Sequence, residues 1–556
     1  MKKLVVAFLF LLTVPASLLA SGGVVSAADP RAAEAGRELL RQGGSASDAA
    51  IAMMLALSVV EPQSSGIGGG GFMVHNDGRT GRVETLDGRE TAPRSANSRL
   101  FLKEDGKPMP FLQAMPGGRS VGIPGNIALA GRASANWGRV RWSALFQPAI
   151  RLAENGYQVT PRLANALSQL KGLWSDFPAA QAIYWQDGRP KQVGETVINP
   201  ALAALLRTVA AKGAKAFYSG ENAAAIISAT GQSRRNPTVI TKRDLAAYRA
   251  VERPAVCTTY RQYKLCGVGP PSSGATTVFQ ILGMLERFDL KALGKDNPQS
   301  WHLIAEAMFL GYADREKYLG DPGFVSVPVA GLLDKAYIAS RSAMISPDTS
   351  LPAYEAGVPP GAQPRTAAIS GEVAGTTHFV AVDGQGNIAN MTSTVEGPFG
   401  SQLIANGYFL NNELTDFTFA PEKNGAPVAN RVEAGKRPLS SMSPTLVYGQ
   451  DGKAIFAVGA AGGKTIIMQV AKTLIAHLDW GLSAKDALAA PNMYMAGEAV
   501  LVEPDTSLSA MQSQLASFGR TVVTGRMSSK ANATERTTAG WQGAADPRSE
   551  GVALEE

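Results

Sequence analysis

The stretch GTTHFVAVDGQGNIANMTSTVEG, residues 375–397, gathers side chains that can do chemistry together. It reads as a β-hairpin, with strands over 377–383 and 388–394 joined by the turn DGQGN. Counting outward from a turn centre near Gln385 brings Thr376 opposite Thr394, within one residue where a bulge intervenes. Glu396 follows two positions after Thr394. Two hydroxyls and a carboxylate therefore meet at one end of the hairpin. A threonine hydroxyl is a poor nucleophile unless a base stands beside it. A threonine at a chain N-terminus carries that base, its own α-amino group, with an unperturbed pKa of roughly 7.7–8.0. Gly375, with no side chain, lets the Thr376 hydroxyl approach the preceding carbonyl and tolerates a strained backbone. The pattern points to a cut between Gly375 and Thr376, followed by acyl transfer on Thr376. A plain hairpin with a polar start is the alternative.

Other catalytic arrangements find less support. A Ser-His-Asp triad would have to draw on His75, His302, His378 or His477, and no G-x-S-x-G elbow occurs. Metal-ligand spacings such as H-E-x-x-H or C-x-x-C are absent, and no cofactor is expected.

The hairpin needs elements around it. AEAGRELLRQGGSASDAAIAMMLALSVVEPQ reads as two helices, the first stopped at Gly43-Gly44 and the second capped by Ser45 or Ser47 with Asp48 near its positive end. A glycine run then leads into a strand at 72–75, a turn at Asn76-Asp77-Gly78 and a return strand ending near Leu86. Residues 140–345 are mostly helix-like, and PPSSGATTVFQILGMLERF is a turn followed by an apolar helix. The Gly/Pro/Ala-rich stretch 351–375 has almost no periodicity and reads as a flexible connector. Strands follow at 407–411, 443–448 and 454–459, then a helix at KTIIMQVAKTLIAHLDWG. Strands and helices in both halves suggest one layered α/β unit.

The whole chain has 556 residues, 45% hydrophobic and 18% charged, which is a globular balance with ample length for a large core. The formal charge of +7 is small for this length, and no Lys/Arg block with interleaved aromatics supports a nucleic-acid partner. Fifty-nine glycines without a Gly-X-Y period require a structural reason. Lys2 and Lys3, an apolar run from Leu4 and the small-x-small end Val25-Ser26-Ala27 read as a secretory signal peptide over residues 1–27, with an uncleaved anchor as the alternative. No later segment is apolar enough to span a bilayer, so the mature protein is expected without a membrane span, periplasmic or secreted. The two cysteines, Cys257 and Cys266, lie in VCTTYRQYKLCG. A two-residue loop at Arg261-Gln262 places Tyr260 opposite Tyr263 and Cys257 opposite Cys266, compatible with a cross-strand disulfide or with two free thiols.

From about residue 30 to near the end, the chain resembles the bacterial γ-glutamyltranspeptidases, heterodimeric N-terminal-nucleophile hydrolases. The strings QGGSASDAAIA, GIGGGGFMV, DGRETAP, PPSSG, DLAAYRAVERP, GTTHFVAVDGQGN, FLNNELTDF, KRPLSSMSPT and GAAGG follow in the family's order. The resemblance implies a four-layer αββα sandwich built by a large subunit, 28–375, and a small catalytic subunit, 376–556. It implies Thr376 as nucleophile and new N-terminus and Thr394 as the threonine that holds it. Arg89 would grip the substrate α-carboxylate; without the family context it reads as a surface ion pair with Glu90 or Asp87. Glu396, Glu413 and Asp416 would accept the α-ammonium, and Ser440 and Ser441 would bond the α-carboxylate, though their string alone also fits turn and cap chemistry. Gly462 and Gly463 would form the oxyanion hole; by themselves they are a strand-to-helix turn. The implied reaction is γ-glutamyl transfer from glutathione and related compounds to water or to an amino-acid or peptide amine. The alternatives are a cephalosporin (glutaryl) acylase of the same superfamily and an uncut, non-catalytic binding protein. The lid segment FTFAPEKNGAPVANRVEAGKRPL, 417–439, lacks the tyrosine that closes the pocket in some members.

Overall fold

A computed structural model describes residues 22–368, 371, 375–527 and 529–556. Thirteen strands carry its two large sheets. In chain order they are β1 (Val24–Ala27), β2 (Gly70–Asn76), β3 (Val83–Asp87), β4 (Val251–Arg253), β5 (Val256–Tyr260), β6 (Tyr263–Gly267), β7 (Gly375–Val382), β8 (Ile388–Glu396), β9 (Thr445–Tyr448), β10 (Ala454–Ala461), β11 (Lys530–Thr537), β12 (Gly540–Ala545) and β13 (Val552–Glu555). One sheet runs β13-β1-β7-β8-β2-β3-β4 and the other β12-β11-β10-β9-β6-β5. All pairings within both are antiparallel. Five helices matter for the site: α1 (Pro30–Arg41), α2 (Ala46–Val60), α3 (Gly274–Leu285), α4 (Pro298–Tyr318) and α5 (Thr465–Leu478).

The period-two alternation of β7 divides the core. Phe379 and Ala381 pack with α1 and α2 in one apolar cluster. Val380 and Val382 pack with Leu446, Phe456 and Val458 of the second sheet and with α3, α4 and α5 in another. Strands covered on both faces need apolar or small residues at every position, which is why β7 and β8 are buried throughout. Helix α2 is buried on every side, as its near-continuous apolar sequence requires. Its start is a capping box: Ser45 Oγ accepts from the Asp48 N–H, and the Asp48 carboxylate accepts from the Ser45 N–H at 2.9 Å.

The central hairpin has the expected register. Thr376 faces Thr394, and a bulge between Gly375 and Thr376 sets Gly375 opposite Glu396. A Cβ at position 375 would lie 2.1 Å from the Glu396 carbonyl oxygen, so the bulge admits only glycine. The glycine run before β2 has a similar reason: a Cβ at Gly69 would lie 1.9 Å from the Thr394 carbonyl oxygen. The cysteine hairpin also keeps its register, Tyr260 against Tyr263 and Cys257 against Cys266, and the disulfide is formed, with Cα atoms 4.1 Å apart.

Three expectations change. First, the signal-peptide boundary at residue 27 fails. Residues 1–21 lie outside the described residues, but β1 is a buried interior strand between β7 and β13. A cut after Ala27 would pull that strand out of the sheet and expose both neighbours' ladders; any signal cut must fall before Val24. Second, the connector 351–375 has almost no regular structure, but its first part is pinned. Glu306 accepts from Leu351 N–H at 2.9 Å and from the Tyr354 hydroxyl, Arg341 donates to the Glu355 carbonyl, and Gly357 N–H donates to Asp314. Low sequence periodicity here reflects an ordered loop held by side chains from α4 and its neighbours, not a free linker; residues 369, 370 and 372–374 lie outside the described set. Third, the strand expected at 443–448 begins at Thr445, after Pro444, which has no N–H to give a ladder, and that expected at 407–411 is paired only at Tyr408–Phe409.

Candidate active site

The open end of the central hairpin delivers the two threonines. Thr376 Oγ1 lies 3.3 Å from Thr394 Oγ1. Thr394 Oγ1 donates to the Gly375 carbonyl at 2.9 Å and accepts the Glu396 N–H at 2.8 Å. Since the Thr394 proton goes to Gly375, Thr376 is the donor between the two hydroxyls. The result is a relay, Thr376 hydroxyl to Thr394 hydroxyl to Gly375 carbonyl, around the bond before Thr376.

Just beyond, Glu396 adopts φ 78°, left-handed backbone that a glutamate takes at a cost of about 1–3 kcal/mol. The Thr394 hydroxyl holds its N–H in that conformation, and the Asn412 amide donates to its carboxylate. The chain turns here, out of the sheet, and the carboxylate is directed into the pocket.

Arg89, Thr376, Thr394, Glu396, Glu413, Asp416, Ser440, Ser441 and Gly463 line one narrow pocket, closed further by Met442 and Ile466. Of the ten substrate and catalytic positions expected, only Gly462 is outside this lining, one residue from Gly463. None of the four histidines is there. His378 is buried between the sheets against Thr392, and burial pulls its pKa down to about 3. His75 stacks on Trp137, and burial likewise lowers it to about 4.

Arg89 is 1% exposed and fully engaged. It does not pair with Asp87 or Glu90. Its guanidinium forms ion pairs with Glu413 and, at 2.5 Å, Asp416, and donates to the carbonyls of Pro438 and Leu439. Asp87 is instead taken by Arg253 and Arg437. Burial acts to lower the Arg89 pKa, but the carboxylates of Glu413 and Asp416 more than offset it and raise it. A planar fork between two carboxylates is buried only because it is paired. The residues expected to grip opposite ends of a zwitterion are thus paired with each other.

The serines and glycines sit on a second frame. Ser441 Oγ accepts from Arg315 at 2.8 Å, and Arg315 also donates to Ser273 Oγ at 2.8 Å. The Ser440 carbonyl accepts both the N–H and the hydroxyl of Ser273. Gly462 (φ 141°) and Gly463 (φ 59°) join β10 to α5. The next residue is held from α4: its carbonyl, on Lys464, accepts from Tyr312, and its ammonium donates to Glu316. Thr465 Oγ1 donates to the Gly462 carbonyl, and Gln469 donates to Ala461. Two backbone N–H groups at the head of a 14-residue helix suit an oxyanion.

Sequence reading missed Arg315, Ser273, Asn411 and Asn412. Asn411 bridges Gly68 and Gly122 to the Glu413 N–H, fixing the turn that presents Glu413. The paired asparagines at a strand end were a usable signal; Arg315, inside an otherwise ordinary helix pattern, gave none.

Comparison with known proteins places this geometry. The sequence model described as Gamma-glutamyltranspeptidase matches residues 32–555. The chain belongs to the γ-glutamyltranspeptidase family. Among relatives, the glutathione hydrolase proenzyme of Bacillus subtilis (strain 168) is 38% identical over 484 residues, 85% of this chain and 80% of that protein. The Acylase ACY 1 proenzyme of Pseudomonas sp. (strain SE83) is 33% identical over 521 residues, 92% of this chain and 89% of the other. A solved cephalosporin acylase from Bacillus halodurans superposes with a TM-score of 0.85 at 27% identity, covering 96% of each chain. In this γ-glutamyltranspeptidase-family chain the segment 417–439, expected as a lid, is anchored by Asn430, which donates to the Asp416 carbonyl and accepts the Leu439 N–H. Phe419 stacks on Phe101 and Phe111.

Proposed function

We propose that this chain cuts itself between Gly375 and Thr376, and that the freed Thr376 transfers γ-glutamyl groups from glutathione and related amides to water or to an amino-acid or peptide amine. The observation that carries the reading is the relay of Thr376, Thr394 and the Gly375 carbonyl inside the pocket that also holds Arg89. Relatives named glutathione hydrolase proenzyme support both halves of it.

For the cut, Thr376 Oγ attacks the Gly375 carbonyl carbon while the Thr394 hydroxyl stabilises the carbonyl oxygen. The peptide C–N bond breaks, its nitrogen takes the proton and becomes the Thr376 amine, and water then hydrolyses the ester at Gly375. In turnover the amine removes the Thr376 hydroxyl proton as Oγ attacks the γ-carbonyl, and returns it to the departing amine. The N–H groups of Gly462 and Gly463 stabilise the oxyanion. The γ-glutamyl ester on Thr376 is then released by water or by an acceptor amine. In binding, the substrate α-carboxylate takes the Arg89 fork with Ser440 and Ser441 beside it. The α-ammonium goes to the carboxylates of Glu396, Glu413 and Asp416. No cofactor enters these steps.

The pieces 28–375 and 376–556, the first with its start moved before Val24, remain a heterodimer. The strand pairing supports this: β1 lies between β7 and β13, and β6 of the first piece pairs with β9 of the second. Helices outside two stacked sheets support the four-layer αββα description. The export signal supports a periplasmic or secreted location, and no described helix is long and apolar enough to cross a membrane.

A glutaryl acylase is the second reading, favoured by the acylase superposition. The pairing of Arg89 with Glu413 and Asp416 also means those carboxylates would not be orphaned without a substrate ammonium. Initial rates with glutathione and with a glutaryl amide separate the two. The γ-glutamyl reading expects kcat/KM for glutathione to exceed that for the glutaryl amide by about tenfold or more, the value of one charged contact of ~1.4 kcal/mol or larger. A preference for the glutaryl amide would replace it.

A further inference from the structure

Two buried serine hydroxyls border the pocket that holds Arg89 and Thr376, and each receives a hydrogen bond from the protein. Ser440 Oγ accepts the Met442 N–H at 3.2 Å, and Ser441 Oγ accepts from the Arg315 guanidinium at 2.8 Å. Among the described residues, neither hydroxyl donates its own proton to a protein acceptor. A hydroxyl has one proton to give and two lone pairs to receive. One that receives from a cation turns its proton away from that cation. Ser441 lines the pocket and Arg315 does not, so the guanidinium stands behind the serine and the proton is turned toward the pocket.

Arg315 comes from α4 and is fully buried. Its Nε donates to Ser273 Oγ at 2.8 Å. The Ser273 hydroxyl in turn donates to the Ser440 carbonyl at 2.6 Å, and the Ser273 N–H donates to the same carbonyl at 2.7 Å. One flat guanidinium therefore reaches the Ser441 hydroxyl directly and the Ser440 main chain through one serine. Its charge is met by Glu316 at 2.8 Å, and that carboxylate also takes the Lys464 ammonium at 2.8 Å. Two diverging N–H donors in a fixed plane are what an arginine offers and a lysine does not.

The geometry points to Arg315 as a positioning residue for recognition of the substrate α-carboxylate. From behind the pocket it holds Ser441 as a hydrogen-bond donor toward that carboxylate, and through Ser273 it fixes the main chain from which Ser440 projects. The inference rests on the γ-glutamyl reading, in which Ser440 and Ser441 meet the α-carboxylate, and adds what makes Ser441 a donor. A hydrogen bond from a cation to the hydroxyl oxygen polarises the O–H and strengthens its own donation. Arg315 touches no substrate atom in this account; it acts through Ser441. The competing reading is a brace that merely ties the loop before α3 to the loop before β9.

The test is a double-mutant cycle on the inhibition constant of L-glutamate against glutathione hydrolysis. Arg315→Met and Ser441→Ala should each weaken L-glutamate by about tenfold, the size of one hydrogen bond to a charged group. Because one residue acts through the other, the double variant should lie within about threefold of Ser441→Ala alone; independent effects would multiply to about a hundredfold. The analogue γ-aminobutyrate keeps the amine and the other carboxylate but has no α-carboxylate, so it should inhibit the native and Arg315→Met enzymes alike. Equal losses for both inhibitors, or multiplied losses in the double variant, make Arg315 a brace and overturn the proposal. If Arg315→Met fails to mature, Arg315→Lys takes its place in the cycle, keeping the buried charge and losing the fork. A Ser441→Ala enzyme that binds L-glutamate as the native enzyme does overturns the proposal without any Arg315 variant. Native enzyme that does not hydrolyse glutathione defeats the γ-glutamyl reading; native enzyme that does, with equal or multiplied losses in the variants, defeats only the role of Arg315.

Discussion

One hydroxyl, that of Thr394, ties the cut to the pocket. It donates to the carbonyl of the bond before Thr376, and it also holds the strained N–H of Glu396. Thr394→Val removes both contacts with little change of volume. Self-cleavage should slow by about 10²–10³-fold, the usual cost of losing one oxyanion donor. Thr394→Ser, which keeps the hydroxyl, should still be cut. A time course of precursor and fragments on a denaturing gel reads this directly; a Val variant that matures at the native rate would remove Thr394 from the mechanism. The Thr376–Thr394 meeting was legible in the sequence because hairpin register follows from the turn. The mutual pairing of Arg89 with Glu413 and Asp416 was not. Family resemblance assigns each residue a partner on the substrate, whereas buried charges of opposite sign on neighbouring side chains neutralise one another.

Among the elements, β1 carries the clearest correction. VVSA looks like the end of a signal peptide when read forward from Lys2, because small and apolar residues serve a signal cut and a buried strand equally well. Pairing with β7 and β13, more than 350 residues away in the chain, is a tertiary fact that local pattern does not contain. N-terminal sequencing of the large fragment should therefore find a start at or before Val24, with the VVSA strand retained. A fragment beginning at Ala28 would contradict the sheet order. The start of helix α2, to within two residues, and the register of the cysteine hairpin were, by contrast, legible, since a helix cap and a two-residue turn are short-range devices.

For the molecule as a whole, the bond before Thr376 sits at the end of an interior strand, with the chain on either side contributing to both sheets. A cut there changes covalent connectivity without removing any strand from its neighbours, and it creates an amine beside the Thr376 hydroxyl inside an already built pocket. The mixed α/β architecture and the meeting of Thr376 with Thr394 could be read from alternating patterns and one hairpin. The frame that holds the serines and the glycine turn, from Arg315, Tyr312 and Glu316 on α4, could not, because nothing in an apolar helix sequence says which polar residue will face the site. The central claim is that Thr376 is both the new N-terminus and the acyl carrier. Intact-mass analysis of the small fragment after rapid acid quench of a reaction with glutathione tests it most directly. The account predicts a fragment beginning at Thr376, a fraction of which carries the added mass of one γ-glutamyl group on that residue. A fragment with a different start, or an acyl group on any other residue, would contradict it.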